Sequence, residues 1–433
     1  MNEKHSGRRR FLKEGAALAG LAVGGVRLVT AQTAGTGREE APPKDLHAYG
    51  ERARFENSVR IGNNGDSPAF RNPASTLPFG PHTPLQDSIG IITPNSLHYT
   101  ISHGYEPPDI DPQQHRLMIH GLVDRPLVFT MEDLKRLPSV SRVHFIECRA
   151  NGSPSVRERR ESAGTVQITH GLTSCSEWTG VPLSLLLKEA GVQKGGSWIV
   201  AQGAEAGNHT KSIPMEKAMD DILIAYGQNG EAVRPEQGYP LRMVVPGYQG
   251  VNNVKWLRRI KVVDKPYFVQ RETSQYTELR QDGKARWFTS ELGPNSVITR
   301  PSGGQRLPGR GFYEITGLAW SGRGSIRRVE VSTDGGKTWK DAEVQEPIHR
   351  KAHTRFRIAW DWNGAETVLQ SRSTDDQGGI QPSMSEIAKI WGYPADYFES
   401  ESYLSAPYLF GNFNAIQPWK INRDGSVQNA LFA

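Results

Sequence analysis

The chain of 433 residues is 36% hydrophobic and 23% charged, which is enough apolar material for two globular domains and excludes a low-complexity or fibrous protein. Its net charge of +6 is concentrated at one end: residues 1–31 hold six Lys/Arg against two Glu, a contribution of +4, leaving about +2 on the other 402 residues. A body so close to neutral gives no footprint for a nucleic-acid partner.

The first segment reads Gly7-Arg8-Arg9-Arg10-Phe11-Leu12-Lys13, followed by a weakly apolar run from Ala16 to Val26 and by Val29-Thr30-Ala31. This pattern resembles a twin-arginine export signal over residues 1–31, with Arg8 and Arg9 as the pair and Ala31 at the cleavage site. Eleven apolar residues are too few to cross a bilayer core of roughly 30 Å as a helix. The expectation is a periplasmic protein with no membrane span, exported folded and often with a cofactor already inserted. Residues 32–85, rich in Gly, Pro, Asn and charge, are expected as an extended arm lying on the body.

Residues 86–285 read as a mixed α+β domain of short elements. Ile89-Gly-Ile-Ile-Thr and Leu117-Met-Ile-His-Gly are expected strands, and Met131 to Leu137 a helix with Thr130 as its N-cap. Val143-His144-Phe145-Ile146-Glu147-Cys148-Arg149-Ala150-Asn151-Gly152 is an alternating apolar run that ends on a cysteine and is then forced into a loop. A helix follows Trp178, bracketed by Ser184 and Gly191, and Ile199-Val200, Ile222 to Tyr226 and Leu241 to Val245 are expected strands. From 290 to 415 the pattern turns all-β: Ile315, Val329, Val331, Phe356, Ile358, Trp360, Trp362 and Val368 alternate between turns such as Asp334-Gly335-Gly336 and Gln377-Gly378-Gly379. About seven short strands predict an immunoglobulin-like sandwich. Ser332 to Trp339 matches the Asp-box pattern once and is expected as a hairpin turn with a packed Trp. Residues 416–433 are expected as a tail.

The two cysteines, Cys148 and Cys175, leave alternatives open. In an exported chain a Cys148–Cys175 disulfide is the ordinary reading, and the protein is then a non-enzymatic binding protein. Zinc is disfavoured because Cys-x-x-Cys and His-Glu-x-x-His are absent, and a c-type haem in this chain needs a Cys-x-x-Cys-His that is not there. Phosphate-cradling loops of the GxGxxG or Walker type are absent too, and the flanks of Cys148 lack the papain pattern.

One resemblance runs through residues 86–415. Tyr99-Thr-Ile-Ser102-His103, the loop cysteine Cys148, Ser212-Ile-Pro to Asp220, and Gly238-Tyr-Pro-Leu-Arg242 to Asn253-Val254-Lys255-Trp-Leu are similar, in this order, to the sulfite oxidase family of molybdenum enzymes. The C-terminal sandwich resembles that family's dimerisation domain, which implies a homodimer within a hetero-oligomer. The resemblance implies one molybdenum-molybdopterin per chain, with Cys148 as the protein ligand to the metal. A soft thiolate delivered at a strand end suits that role. It implies pterin contacts from Tyr99, Ser102, His103, Glu205, Gln237, Arg242, Asn253, Val254 and Lys255, and a catalytic Tyr276 that helps move protons near the metal.

Departures from the family point to the substrate. Where sulfite-oxidising members carry arginines, this chain has Ile101 and Ser153; Gln237 and Glu205 stand where they have His and Asp. Arg149, Arg157, Arg159 and Arg160 are close enough in sequence to compensate. Within the family the chain most resembles the molybdenum-bearing subunits of Sox sulfur-oxidation systems, named sulfane or sulfite dehydrogenases. That implies oxygen-atom transfer from water to sulfur, a carrier protein bearing the substrate, and electrons passed to a c-type cytochrome subunit. A dehydrogenase for free sulfite and a methionine-sulfoxide reductase are the enzymatic alternatives.

Overall fold

The computed structural model describes residues 52–432 apart from 54, 62–79, 103–105, 156–158, 275, 288–289 and 406–410, with backbone alone at 279 and 405. The expected export signal, most of the arm, His103 and Arg157 therefore lie outside the described residues. Residues 57–433 form one compact unit.

The α+β part holds two sheets. Strands β1 (Arg116–Gly121), β2 (Leu127–Thr130), β5 (Trp198–Gly203), β6 (Thr210–Pro214) and β10 (Leu257–Val263) form one in the order β2-β1-β10-β5-β6, with β1 and β10 parallel. Strands β3 (Val140–Glu147), β4 (Thr173–Pro182), β7 (Leu223–Gln228), β8 (Glu231–Ala232) and β9 (Arg242–Val244) form the other, with β9 paired to β7. The helix Met131–Lys135 begins as expected: Thr130 accepts from the Asp133 amide, and Asp133 returns the bond in a capping box. The helix Leu183–Ala190 ends at Gly191 in the left-handed conformation, but its N-cap is Pro182, so Ser184 lies inside it.

Ile89 to Thr93 is not a strand. The Arg355 guanidinium donates to the carbonyls of Ser88 and Gly90, taking acceptors that a ladder would need, and Gly90 sits at φ 72°. A short hairpin of β11 (Thr277–Leu279) and β12 (Ala285–Trp287) leads to the sandwich.

The sandwich consists of β13 (Asn295–Arg300), β14 (Gly311–Trp320), β15 (Ile326–Ser332), β16 (Lys340–Asp341), β17 (Glu343–Val344), β18 (Thr354–Trp362), β19 (Thr367–Asp375), β20 (Trp419–Ile421) and β21 (Val427–Asn429), in sheets β13-β14-β18-β17 and β16-β15-β19-β20-β21. Residues 416–433, expected as a tail, thus supply two strands, and Trp419 and Ile421 are fully buried. The Asp334 turn is a hairpin: its carboxylate accepts from the Thr338 amide at 2.9 Å, and Trp339 Nε1 donates to the Gly336 carbonyl.

The two parts share a core. Phe145 and Cys175 pack with Val297, Trp320, Val329, Phe356 and Trp419, so the strand that ends on the site cysteine is buried by the sandwich. A polar clamp crosses the same boundary. Asp221, just after the helix Met215–Asp220, accepts from Lys217 Nζ at 2.5 Å and from Lys351 Nζ at 2.6 Å, and Lys351 belongs to a sandwich loop. Both ammonium groups are buried, and burial pushes the Lys217 amine down to about 8.

Candidate functional site

Strand β3 stops at Glu147 and its last backbone groups are taken by the loop that follows. The Cys148 amide donates to the Leu172 carbonyl at 2.9 Å, Asn151 N donates to the Cys148 carbonyl at 2.9 Å, and the Asn151 amide side chain joins Glu147 to Leu172 N. Arg159, fully buried, donates to the carbonyls of Ala150, Ser153 and Ile168 from behind. The thiol is therefore presented on a rigid hook at the floor of a cavity of about 710 Å³, counting its open mouth.

Most predicted residues line that cavity: Tyr99, Ser102, Cys148, Glu205, Gln237, Arg242, Asn253, Lys255 and Tyr276. Val254 does not; it is fully buried in the apolar core and takes part through its carbonyl, which accepts from the Met243 amide. Asn253 spends its side chain on the backbone, accepting from Val245 N at 2.7 Å and donating to the Gln249 carbonyl. Gln237 is bound from three sides, donating to the Tyr99 carbonyl and Thr100 Oγ1 and accepting from Arg242. Gly238, at φ 113°, lets this turn form; a Cβ there would come within 3.0 Å of Lys255 Cα and 3.2 Å of Arg242 Cβ. Gly250 is equally tight, because a Cβ would sit 2.6 Å from Tyr99 Oη.

Arg242 and Lys255 are cations held out of water. Arg242 is 3% exposed, lies 4.8 Å over the Trp178 ring, and is held down to about 10 by burial. Lys255 Nζ donates to the carbonyls of Ile101 and Glu236, and is pushed down to about 7 by burial and then by Arg242. Neither cation hydrogen-bonds a carboxylate, although the charges of Glu205 and Glu236 act on Lys255. Arg242 Nε and His98 Nε2 are buried without a hydrogen-bond partner among the described residues.

Burial also raises the Cys148 thiol, so at neutral pH it is no free thiolate nucleophile. Both cysteines are free: the disulfide reading is overturned, and Cys175 is packed in the shared core. No group of three or more His, Cys, Asp or Glu suited to a metal occurs among the described residues. A metal at Cys148 would have to bring its other donors with it, and a phosphate on such an organic ligand would meet the need of Arg242 and Lys255. The donor set fits a molybdopterin.

The arginines near Cys148 do not supply a substrate charge from the positions expected. Arg149 lies behind Tyr276, its Cζ 5.2 Å from the ring centroid and its Nη2 3.9 Å from Glu278. Arg159 holds the loop, and Arg160 donates to the Leu404 carbonyl at the surface. Ser153 is fully buried against Ser155 and does not line the cavity, whereas Ile101 does. Sequence reasoning missed His98, His209, Trp256 and Arg271 on the cavity wall, and Arg60, whose guanidinium ties down the His98 carbonyl and Thr100 Oγ1. Only proximity to Tyr276 in the chain could have singled out Arg271.

Two family models match the chain: an oxidoreductase molybdopterin binding domain over residues 103–270 and a Mo-co oxidoreductase dimerisation domain over 286–399. The solved structure of the sulfane dehydrogenase SoxCD from Paracoccus pantotrophus is 40% identical, covers 90% of this chain and 95% of its own, and superposes with a TM-score of 0.79. Nitrate reductase [NADH] 1 from Arabidopsis thaliana is 35% identical over 324 residues, 66% of this chain and 34% of the relative. Nitrate reductase [NAD(P)H] from Hordeum vulgare is 33% identical over 366 residues, 75% of this chain and 40% of the relative. The chain thus spans about a third of the length of the nitrate reductases it matches.

Proposed function

The chain belongs to the sulfite oxidase family of molybdenum oxidoreductases, with a molybdopterin-binding domain followed by a dimerisation domain, and from that premise we propose that it is a periplasmic sulfur-compound dehydrogenase. Its substrate is a sulfane sulfur carried on a partner protein, and its electrons leave to a c-type cytochrome. One observation carries the substrate choice: the cavity wall presents Ile101 where an arginine clamp for free sulfite is expected, and Arg149 and Arg159 are committed elsewhere. A small dianion entering a partly dehydrated pocket needs paired cations, whereas a sulfur on a carrier's arm needs less local charge and more surface complementarity. The 40% identity to a sulfane dehydrogenase over most of the chain supports the same reading.

Cys148 would be the protein ligand to the metal, and Arg242 and Lys255 would hold the pterin phosphate. When bound, the cofactor supplies two-electron oxygen transfer between water and sulfur. The Tyr276 phenol faces the cavity and is pushed well up by burial and by Cys148, so it keeps its proton at neutral pH and acts as a hydrogen-bond donor to a bound group, not as a base. The given sequence contains no Cys-x-x-Cys-His, so a c-type haem that takes the two electrons would sit on the proposed cytochrome partner. The sandwich pairs two copies of the chain.

Steady-state kinetics with cytochrome c as acceptor test this: carrier-bound sulfane is oxidised much faster than free sulfite. A micromolar KM and high turnover for free sulfite would replace this reading with the sulfite dehydrogenase one, and turnover of nitrate would overturn both. The compartment is tested separately, since changing Arg8 and Arg9 together to lysine strands folded, loaded precursor in the cytoplasm. Normal export of that variant would mean another route.

A further inference from the structure

The short helix Gln270–Ser274 carries two charged residues with opposite fates. Glu272 is fully buried and accepts from Ser212 N at 2.6 Å, Ser212 Oγ at 3.1 Å and Val269 N at 3.2 Å, and its carboxylate lies 3.6 Å from Lys211 Nζ. Those bonds fix the rotation of the helix. Arg271, the residue before it, is thereby set on the cavity wall with Tyr276, whose amide donates to the Arg271 carbonyl at 3.2 Å.

The other cations about the cavity have roles already: Arg242 and Lys255, bound to neutral groups, are the pair assigned to the pterin phosphate, and Lys211 and Arg149 each face a glutamate. Lys211 has Glu272, Arg149 has Glu278, Arg242 has Gln237 and the Asn253 carbonyl, and Lys255 has two carbonyls. Arg271 makes no hydrogen bond or ion pair through its guanidinium among the described residues, although it is half-buried and lines the cavity. Its charge nonetheless acts there, counting among the influences that lower the Tyr276 phenol and the His209 imidazole. A guanidinium built into a cavity wall without a carboxylate is a fork ready for an oxyanion.

Arg271 opens the interval 271–285, which neither family model covers, since they match 103–270 and 286–399. Cys148 and the pterin-facing residues from Glu205 to Lys255 fall inside the first model, Tyr99 and Ser102 just before it, and Arg271 and Tyr276 after it.

We propose that Arg271 is the anion-binding residue of this cavity, engaging, beside the Tyr276 hydroxyl, the sulfur oxyacid group that forms as the substrate is oxidised. Only the identification of that anion as a sulfur oxyacid group rests on the function proposed above. One guanidinium from a different element does not restore the paired clamp that Ile101 lacks, so the preference for a carrier-borne sulfur over a free dianion stands.

The test uses purified holoenzyme with Arg271→Gln and Arg271→Lys, and sulfate as the probe anion in calorimetric titrations at fixed ionic strength. Removing a charged hydrogen-bonding partner should weaken sulfate binding by about tenfold to a hundredfold in Arg271→Gln, with part of the affinity restored in Arg271→Lys. For free sulfite the loss should fall on KM more than on kcat. Wild-type holoenzyme that binds no sulfate, or an Arg271→Gln variant that binds it as the wild type does, overturns the assignment. Sulfate binding involves no turnover, so it still reads Arg271 if the sulfane substrate proves wrong; rapid carrier oxidation with unchanged sulfate binding would sink Arg271 alone.

Discussion

Replacing Cys148 with serine abolishes turnover while leaving the fold in place. The structural bonds of this residue are backbone ones, to Leu172 and from Asn151, and the substitution keeps them. What changes is the donor atom: serine offers a hard hydroxyl that stays protonated, where a polarisable thiolate would replace its proton with a metal. No cluster of other metal-binding side chains exists among the described residues to take over. The loss should therefore exceed the roughly 10- to 100-fold that removal of an outer-shell partner costs. Activity assays, molybdenum per chain by elemental analysis and circular dichroism decide it. About one molybdenum per chain is expected in the wild type, and near-normal turnover in Cys148→Ser, or an active wild type free of metal, would refute the assignment.

Asp221→Asn should produce the largest stability effect, because one carboxylate serves two buried ammonium groups from opposite sides of the domain boundary. Removing one partner of a buried ion pair leaves uncompensated charge, at a cost of about 3 kcal/mol. The Tm should fall by several degrees. The pH dependence identifies the cause. Burial holds the Lys217 amine at about 8 against 10.5 for a free lysine, so between those values the unfolded chain binds the extra proton and stability rises with pH. Without Asp221 the folded value drops further, and the variant is most impaired near neutral pH and recovers as pH rises toward 10. Scanning calorimetry at several pH values tests this. An unchanged Tm, or a deficit that does not shrink with rising pH, would show that the clamp contributes little.

Short-range patterns carried much of the architecture. Strand β3 and its terminal cysteine were legible because the β-branched and aromatic run Val143 to Ile146 favours a strand and Asn151-Gly152 breaks the ladder, both local effects; the expected alternation does not hold, since His144 to Glu147 are all buried, with the sandwich covering Phe145. The capping box at Thr130 and the left-handed Gly191 are local in the same sense. Arg242 and Lys255 were legible only through the order of residues about them, since an isolated arginine or lysine reads as a solvated charge. Ile89 to Thr93 failed as a strand because the competing donor, Arg355, lies 265 residues from Gly90 in sequence. The tail failed likewise, since Trp419 and Ile421 become strand residues by pairing with β19.

Composition and local order by themselves determined an α+β domain with a cysteine at a strand end and an all-β domain after it, and the resemblance to a family added the residues that could surround a pterin. Only the tertiary structure decided which charges face the cavity. Arg149, next to the cysteine in sequence, is turned against Tyr276 and Glu278, while Arg271 is brought to the wall because buried Glu272 anchors its helix. A side chain's direction depends on what its neighbours bury, and those neighbours come from strands far away in the chain.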